Sequence, residues 1–236
     1  MLVGILLQAT QAVSDTTALA ADQLAGEGEI KMSFLDLALK GGWILAVLVL
    51  LSIIAVYIFV ERYFTIAKAS KEDKNFMNSI RDFIHEGRID AAITLSKNND
   101  TPISRMIWKG LTRIGKSLGD ISAAIENTGK LEVAKLEKNV STLATISGAA
   151  PMLGFLGTVI GMIRVFYDMS MAGNNIDIGL LSNGMYQAMV TTVAGLIVGI
   201  MAYVAYNVLV SKIEALIIQL EGTATEFMDV LHEPAK

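Results

Sequence analysis

Hydrophobic positions along this chain gather into three long uncharged runs, separated by stretches dense in charge. Residues 41–60, 139–163 and 178–211 contain no Asp, Glu, Lys, Arg or His and are 20, 25 and 34 residues long. Each meets the roughly 18–20 residues that an α-helix needs to cross a hydrocarbon core of about 30 Å. The pattern predicts an all-α integral membrane protein with transmembrane helices at 41–62, 139–164 and 183–210. Trp43 at one end of the first run and Tyr57, Tyr63 and Phe64 at the other have the amphipathic rings expected at membrane interfaces.

The stretch between the first two runs is also helical in period. Phe76, Ile80, Phe83, Ile84, Ala91 and Leu95 recur every three or four residues, as one buried helix face requires, so 63–138 reads as a helical domain. Within it "NNDTP" (98–102) is a turn that starts a helix, with Thr101 as N-cap and Pro102 at the first helical position. "GKSLGD" (115–120) ends that helix, and Asp120 is expected to cap the next, which should run from Ile121 through the second span without interruption. The third uncharged run would reach about 51 Å as a helix. An apolar stripe at Ile213, Leu216, Leu220, Phe227 and Leu231 continues it into the 211–236 tail. Two long helices should therefore join the membrane layer to the helical domain.

Charge gives the orientation. Of 19 Lys and Arg, 14 lie between residues 61 and 138, and the 165–182 loop has none. Basic residues mark cytoplasmic segments. This places 63–138 and the tail inside, and the 1–40 segment and the 165–182 loop in the periplasm, an N-out/C-in arrangement. The first residues, "MLVGILLQATQAVSDTTALAAD", lack the basic start of a signal peptide and read better as a peripheral amphipathic helix on the outer membrane surface. Composition agrees with a membrane protein, at 53% apolar and 18% charged residues. Cysteine is absent, which removes disulfides and thiolate metal sites, and the net charge of -4 argues against nucleic acid as a partner. His85 and His232 are isolated, with no second His or Cys at helical spacing to build a metal site, and no nucleophile–base pair or phosphate loop supports an enzyme. No cofactor is expected.

The second and third spans carry the chemistry. On a helical wheel Pro151, Gly154, Gly157, Thr158 and Gly161 share one face of the second, and Ala188, Thr191, Thr192, Gly195 and Gly199 one face of the third, with Gln187 beside it. Small residues at this spacing, including two GxxxG pairs, let helices approach closely. A lone membrane threonine usually bonds the carbonyl one turn back on its own helix. Thr158 and Thr192 fall at compatible depths on two such faces, however, and can form one polar layer. A hydroxyl can order water or solvate a carboxylate but holds no net proton at neutral pH. With no Asp, Glu, Lys, Arg or His in any of the three uncharged runs, a complete proton path needs a group from another chain.

These residues resemble those of the ExbB, TolQ and MotA family of proton-channel subunits. "APMLGFLGTVIGM" (150–162), "GMYQAMVTTVAGL" (184–196) and "AYN" (205–207) are similar to its signatures, and the likeness is close over 144–207. Three spans and the extended N-terminus fit the ExbB branch better than the four spans of MotA. The resemblance implies a homopentamer whose second and third spans surround a pore, occupied by the single-span helices of an ExbD-like partner dimer in the membrane lipids of the bacterial inner membrane. It implies that a partner aspartate carries H⁺, that Thr158, Thr192, Thr191 and Gln187 line the path, and that the small-residue face makes room for the guest helix. The work would go to a TonB-like protein for outer-membrane import, or alternatively to envelope maintenance in a TolQ-like role or to a gliding-type motor. Gln187 stands where many members have glutamate, which leaves any acidic group to the partner. A solute carrier lacks support because inverted repeats are missing. A structural scaffold remains the rival reading.

Overall fold

The computed structural model describes residues 42–71, 75–172 and 178–232. The expected helix within 1–40 lies outside them. Among the described residues all regular structure is helical: α1 Gly42–Ala69, α2 Phe76–His85, α3 Ile89–Asn98, α4 Pro102–Leu111, α5 Leu118–Glu137, α6 Val140–Ala172 and α7 Ile178–His232. Helices α1, α6 and α7 include the three stretches long and apolar enough to cross a membrane. The most extensive helix–helix contact joins α6 to α7, and α1 packs against both.

Helix α7 is continuous for 55 residues, about 82 Å at 1.5 Å per residue. Its apolar stripe explains why it does not stop at the membrane: Ile213, Leu216, Leu220 and Phe227 are all buried, and this helix packs on α2, α4 and α5. One hydrophobic core thus runs from Leu48 of α1 and Leu143 of α6 down to Ile107 of α4 and Phe227 of α7. Outward faces of the spans are apolar and exposed, as Ile53, Phe155 and Ile200 illustrate, which suits contact with lipid or neighbouring helices.

The predicted start of α4 is present in full. The Thr101 side chain accepts from the Ser104 amide, the Ser104 side chain reaches back to the Thr101 amide, and Pro102 opens the helix. Such a capping box is worth about 1 kcal/mol. The cap of α5 differs from expectation. Ser117, not Asp120, is the N-cap, and Asp120 instead supplies the amide and carboxylate that bond its hydroxyl. A serine three residues before an acid outcompetes the acid because only the residue outside the first turn can fold its side chain onto those amides.

Two further expectations are corrected. Helix α5 ends at Glu137 and α6 begins at Val140, so the run from Ile121 into the second span is interrupted, at Lys138 and at Asn139 with φ 66°. The 165–182 stretch is also largely helical, since α6 continues to Ala172 and α7 starts at Ile178. Val165 to Ala172 has no Pro or Gly to stop a helix, and a charge at Arg164 marks polarity rather than a backbone break.

A charged cluster ties α4 to α5. Glu132 of α5 is buried, 4% exposed, and accepts from Arg105 Nη2 and Lys135 Nζ, each at 2.7 Å. Burial raises the Glu132 pKa, but the hydrogen bonds and charges of Arg105 and Lys135 outweigh it and the net displacement is downward. A lowered folded pKa means that the stabilisation is complete above the unfolded carboxylate value of about 4.3. It is lost as pH falls from there through the lower folded value. Glu132→Gln is therefore expected to cost about 1–2 kcal/mol at neutral pH, less than a fully desolvated pair because Lys135 reaches solvent. Melting curves between pH 7 and pH 3 should show a shallower acid limb in the variant, and an unchanged limb would remove Glu132 from the acid response.

Candidate functional site between the second and third spans

Glycine makes the site possible by removing side chains where α6 and α7 cross. A Cβ added to Gly154 would lie 2.9 Å from the Thr191 carbonyl oxygen and 3.2 Å from the Gly195 Cα. One added to Gly195 would lie 2.6 Å from the Ala150 carbonyl oxygen, and one added to Gly161 would lie 2.9 Å from the Ala188 Cβ. Farther along, Gly199 faces Pro151, whose Cγ would be 2.6 Å from an added Cβ. Pro151 lacks an amide hydrogen, so the Ser147 carbonyl one turn earlier loses its helical donor. Gly199 lets α7 come up to that same carbonyl, 3.1 Å from where its Cβ would stand. The small faces of the two helices are thus pressed against each other within one chain. The room anticipated for a guest helix is, at Gly154, Gly157, Gly195 and Gly199, filled by the chain's own partner span.

The four polar residues read from the sequence separate into three places. Thr158 and Thr192 meet across the helix pair, their hydroxyl oxygens hydrogen-bonded to each other, and both lie within reach of the Gly154 carbonyl, at 3.3 and 3.2 Å. Thr191 is instead sealed in the seam, 2% exposed, with its side chain over Gly157 and its hydroxyl donating to the Ala188 carbonyl at 2.8 Å. Gln187 turns towards the start of α1, where a Cβ on Gly42 would come 2.8 Å from its Nε2. Thr158 and Thr192 are only half-buried. They form the edge of the seam, and Thr191 its interior.

The hydroxyl pair has two protons for three contacts. One lies between the two oxygens, and the other goes to the Gly154 carbonyl. In this arrangement the pair offers lone pairs, which suit water or the O–H of a neutral carboxylic acid. If the second hydroxyl rotates away from the carbonyl, it offers a proton to a carboxylate, and charge-assisted bonds of that kind are the stronger ones. The pair can therefore serve both states of a titrating acid brought alongside. Sequence reasoning missed the gap-spanning role of the Gly154 carbonyl, which has no residue signature.

Fold and site together define a multi-pass helical membrane protein whose last two spans are zipped by glycine and share one polar layer. Residues 98–222 match the MotA/TolQ/ExbB proton channel family, and the chain belongs to that family. Among its relatives, the biopolymer transport protein ExbB-like 1 of Synechocystis is 31% identical over 179 residues, covering 75% of this chain and 70% of the relative. The ExbB homolog of Methanothermobacter thermautotrophicus is 27% identical over 176 residues, 73% of this chain and 62% of the relative. The Tol-Pal system protein TolQ of Haemophilus influenzae is 26% identical over 220 residues, 87% of this chain and 96% of the relative.

Proposed function

We propose that this chain is the channel-forming subunit of an ion-driven motor in the bacterial inner membrane, with its N-terminus outside and its C-terminus in the cytoplasm. Five copies surround an ExbD-like single-span partner dimer, and the proton motive force is converted into work on a TonB-like protein that energises outer-membrane import. The observation that carries this reading is the half-buried Thr158–Thr192 hydroxyl pair, which lies inside the part of the chain that matches a proton channel family. Because the described spans hold no acid or base between Gly42 and Val60, Val140 and Ile163, or Ile178 and Ser211, the titrating group comes from the partner. A carboxylic acid in a low-dielectric site stays neutral until water or hydroxyls reach it. Movement of the partner past the hydroxyl pair then alternates its access between the two sides. The membrane potential contributes about 2.3 kcal/mol per charge per 100 mV.

The test is flux through the purified complex in liposomes. A pH gradient is expected to drive proton flux only when the partner is present, with a sodium gradient giving none. Absence of flux from the assembled complex, or flux of sodium alone, overturns the reading. If deletion of the gene abolishes TonB-dependent uptake and spares envelope integrity, the TonB-like recipient stands; the opposite phenotype assigns a TolQ-like role.

A further inference from the structure

The interruption between α5 and α6 has unusual torsions. Lys138 adopts φ -52° and ψ 131°, and Asn139 has φ 66°, the one non-glycine residue with positive φ among those described. Helical values are about -42° for ψ and -63° for φ. The two outlying angles, ψ of Lys138 and φ of Asn139, flank the same peptide plane. Turning that plane over changes both angles at once, as in the exchange of a type II turn for the helix-like type I turn.

The hydrogen bonds confirm what the plane has given up. In a continuous helix the Asn139 amide donates to the Lys135 carbonyl, and the Thr142 amide to the Lys138 carbonyl. Here the Thr142 amide donates to Asn139 O at 3.2 Å. The Lys135 carbonyl receives Nη1 of Arg62 at 3.2 Å. Arg62 belongs to α1, is 9% exposed, and is steadied by Glu61, which accepts from its Nη2 at 2.7 Å. A cation at the last turn of α5 is also favoured by the helix dipole.

We propose that the Lys138–Asn139 peptide is a two-state joint between the cytoplasmic helices and the second span, held in its broken state by Arg62. The guanidinium occupies the carbonyl that a continuous helix would give to the Asn139 amide. The inner end of the first span thereby sets the direction in which the second span leaves the cytoplasmic layer. Asparagine suits the position, since it tolerates the left-handed region better than most residues yet has no such preference as would forbid the helical state. The inference concerns this chain's conformation and does not depend on which ion or recipient the complex serves.

The experiment uses the full assembled complex and reads two quantities, amide exchange at residue 139 and the distance between spin labels on Leu131→Cys and Thr145→Cys. Both positions are exposed, and the absence of native cysteine makes the labels unambiguous. Dilution with unlabelled chain isolates distances within one subunit. Asn139→Ala penalises the left-handed state and is expected to slow exchange at residue 139 about tenfold. It should also move the label distance towards that of a straight helix, a backbone rise of about 21 Å. Asn139→Gly should keep the native values. Arg62→Leu should shift both readouts in the direction of Asn139→Ala, with partial return in Arg62→Lys, which retains one donor. Identical exchange and distance in Asn139→Ala, Asn139→Gly and the parent overturn the joint. Should Arg62→Leu fail to assemble, the Asn139 pair decides alone.

Discussion

Replacing Thr158 and Thr192 together by valine is expected to reduce proton flux through the assembled complex by about 10- to 100-fold while leaving assembly intact. Valine matches threonine in shape, so the helix pair keeps its packing and loses only hydroxyls. A hydrogen bond to an ionised group is worth about 1.5–3 kcal/mol, and each 1.4 kcal/mol of barrier is a factor of about ten in rate. Serine at both positions keeps the hydroxyls and should retain most of the flux. The pair can equally act as a simple staple between α6 and α7, and the two roles differ in what they change. A staple predicts lower thermal stability of the valine variant with flux per complex unaltered. Flux per complex at the parent level would therefore remove the hydroxyl pair from the ion path.

Thr191→Val supplies the internal comparison. Its hydroxyl is spent on the Ala188 carbonyl and its side chain is sealed over Gly157. It can influence flux only through packing, whereas its neighbour Thr192 opens on the edge of the seam. Adjacent residues on a helix point about 100° apart, so one residue's difference decides whether a hydroxyl is inside a contact or beside it.

That distinction shows where reading the sequence reaches its end. The spans were legible because an uncharged run has no competing interpretation at 20 residues or more, and α7 was legible because its apolar stripe continues past Lys212. The start of α4 was legible because Thr101 and Pro102 act locally. Spacing of Gly154, Gly157, Gly195 and Gly199 announced a close helix approach, but a smooth face does not say whether the approaching helix is the chain's own or another's. The break at Lys138–Asn139 left no mark, as neither residue is Gly or Pro and the carbonyl that stabilises it is claimed by Arg62, 73 residues away from Lys135 in sequence. Gln187 sits at the edge of the wheel's small face, and only the position of α1 shows that it turns towards Gly42.

Gly195→Ala is expected to be among the most damaging single-methyl additions in the protein, because nothing around it can give way. The new Cβ would meet the Ala150 carbonyl oxygen at 2.6 Å, the Gly154 Cα at 2.9 Å and the Gly154 amide nitrogen at 3.1 Å, all of them backbone. A side chain could rotate aside, but a helix backbone can relieve the contact only by moving as a whole. Overpacking of this kind costs about 1–3 kcal/mol, and Gly195→Leu should exceed it enough to prevent assembly. Separation of the axes would also stretch the Thr158–Thr192 bridge one turn away, so flux should fall together with melting temperature. Gly148 and Gly222 are the controls, since an added Cβ at either meets no atom within 4 Å. Alanine there should be neutral or stabilising by up to about 1 kcal/mol, through the helix propensity it gains over glycine. Thermal dissociation of the detergent-solubilised complex separates the cases. If Gly195→Ala melts with Gly148→Ala, the glycine seam is not what holds the last two spans together, and the geometry of the hydroxyl layer must be set by contacts outside it.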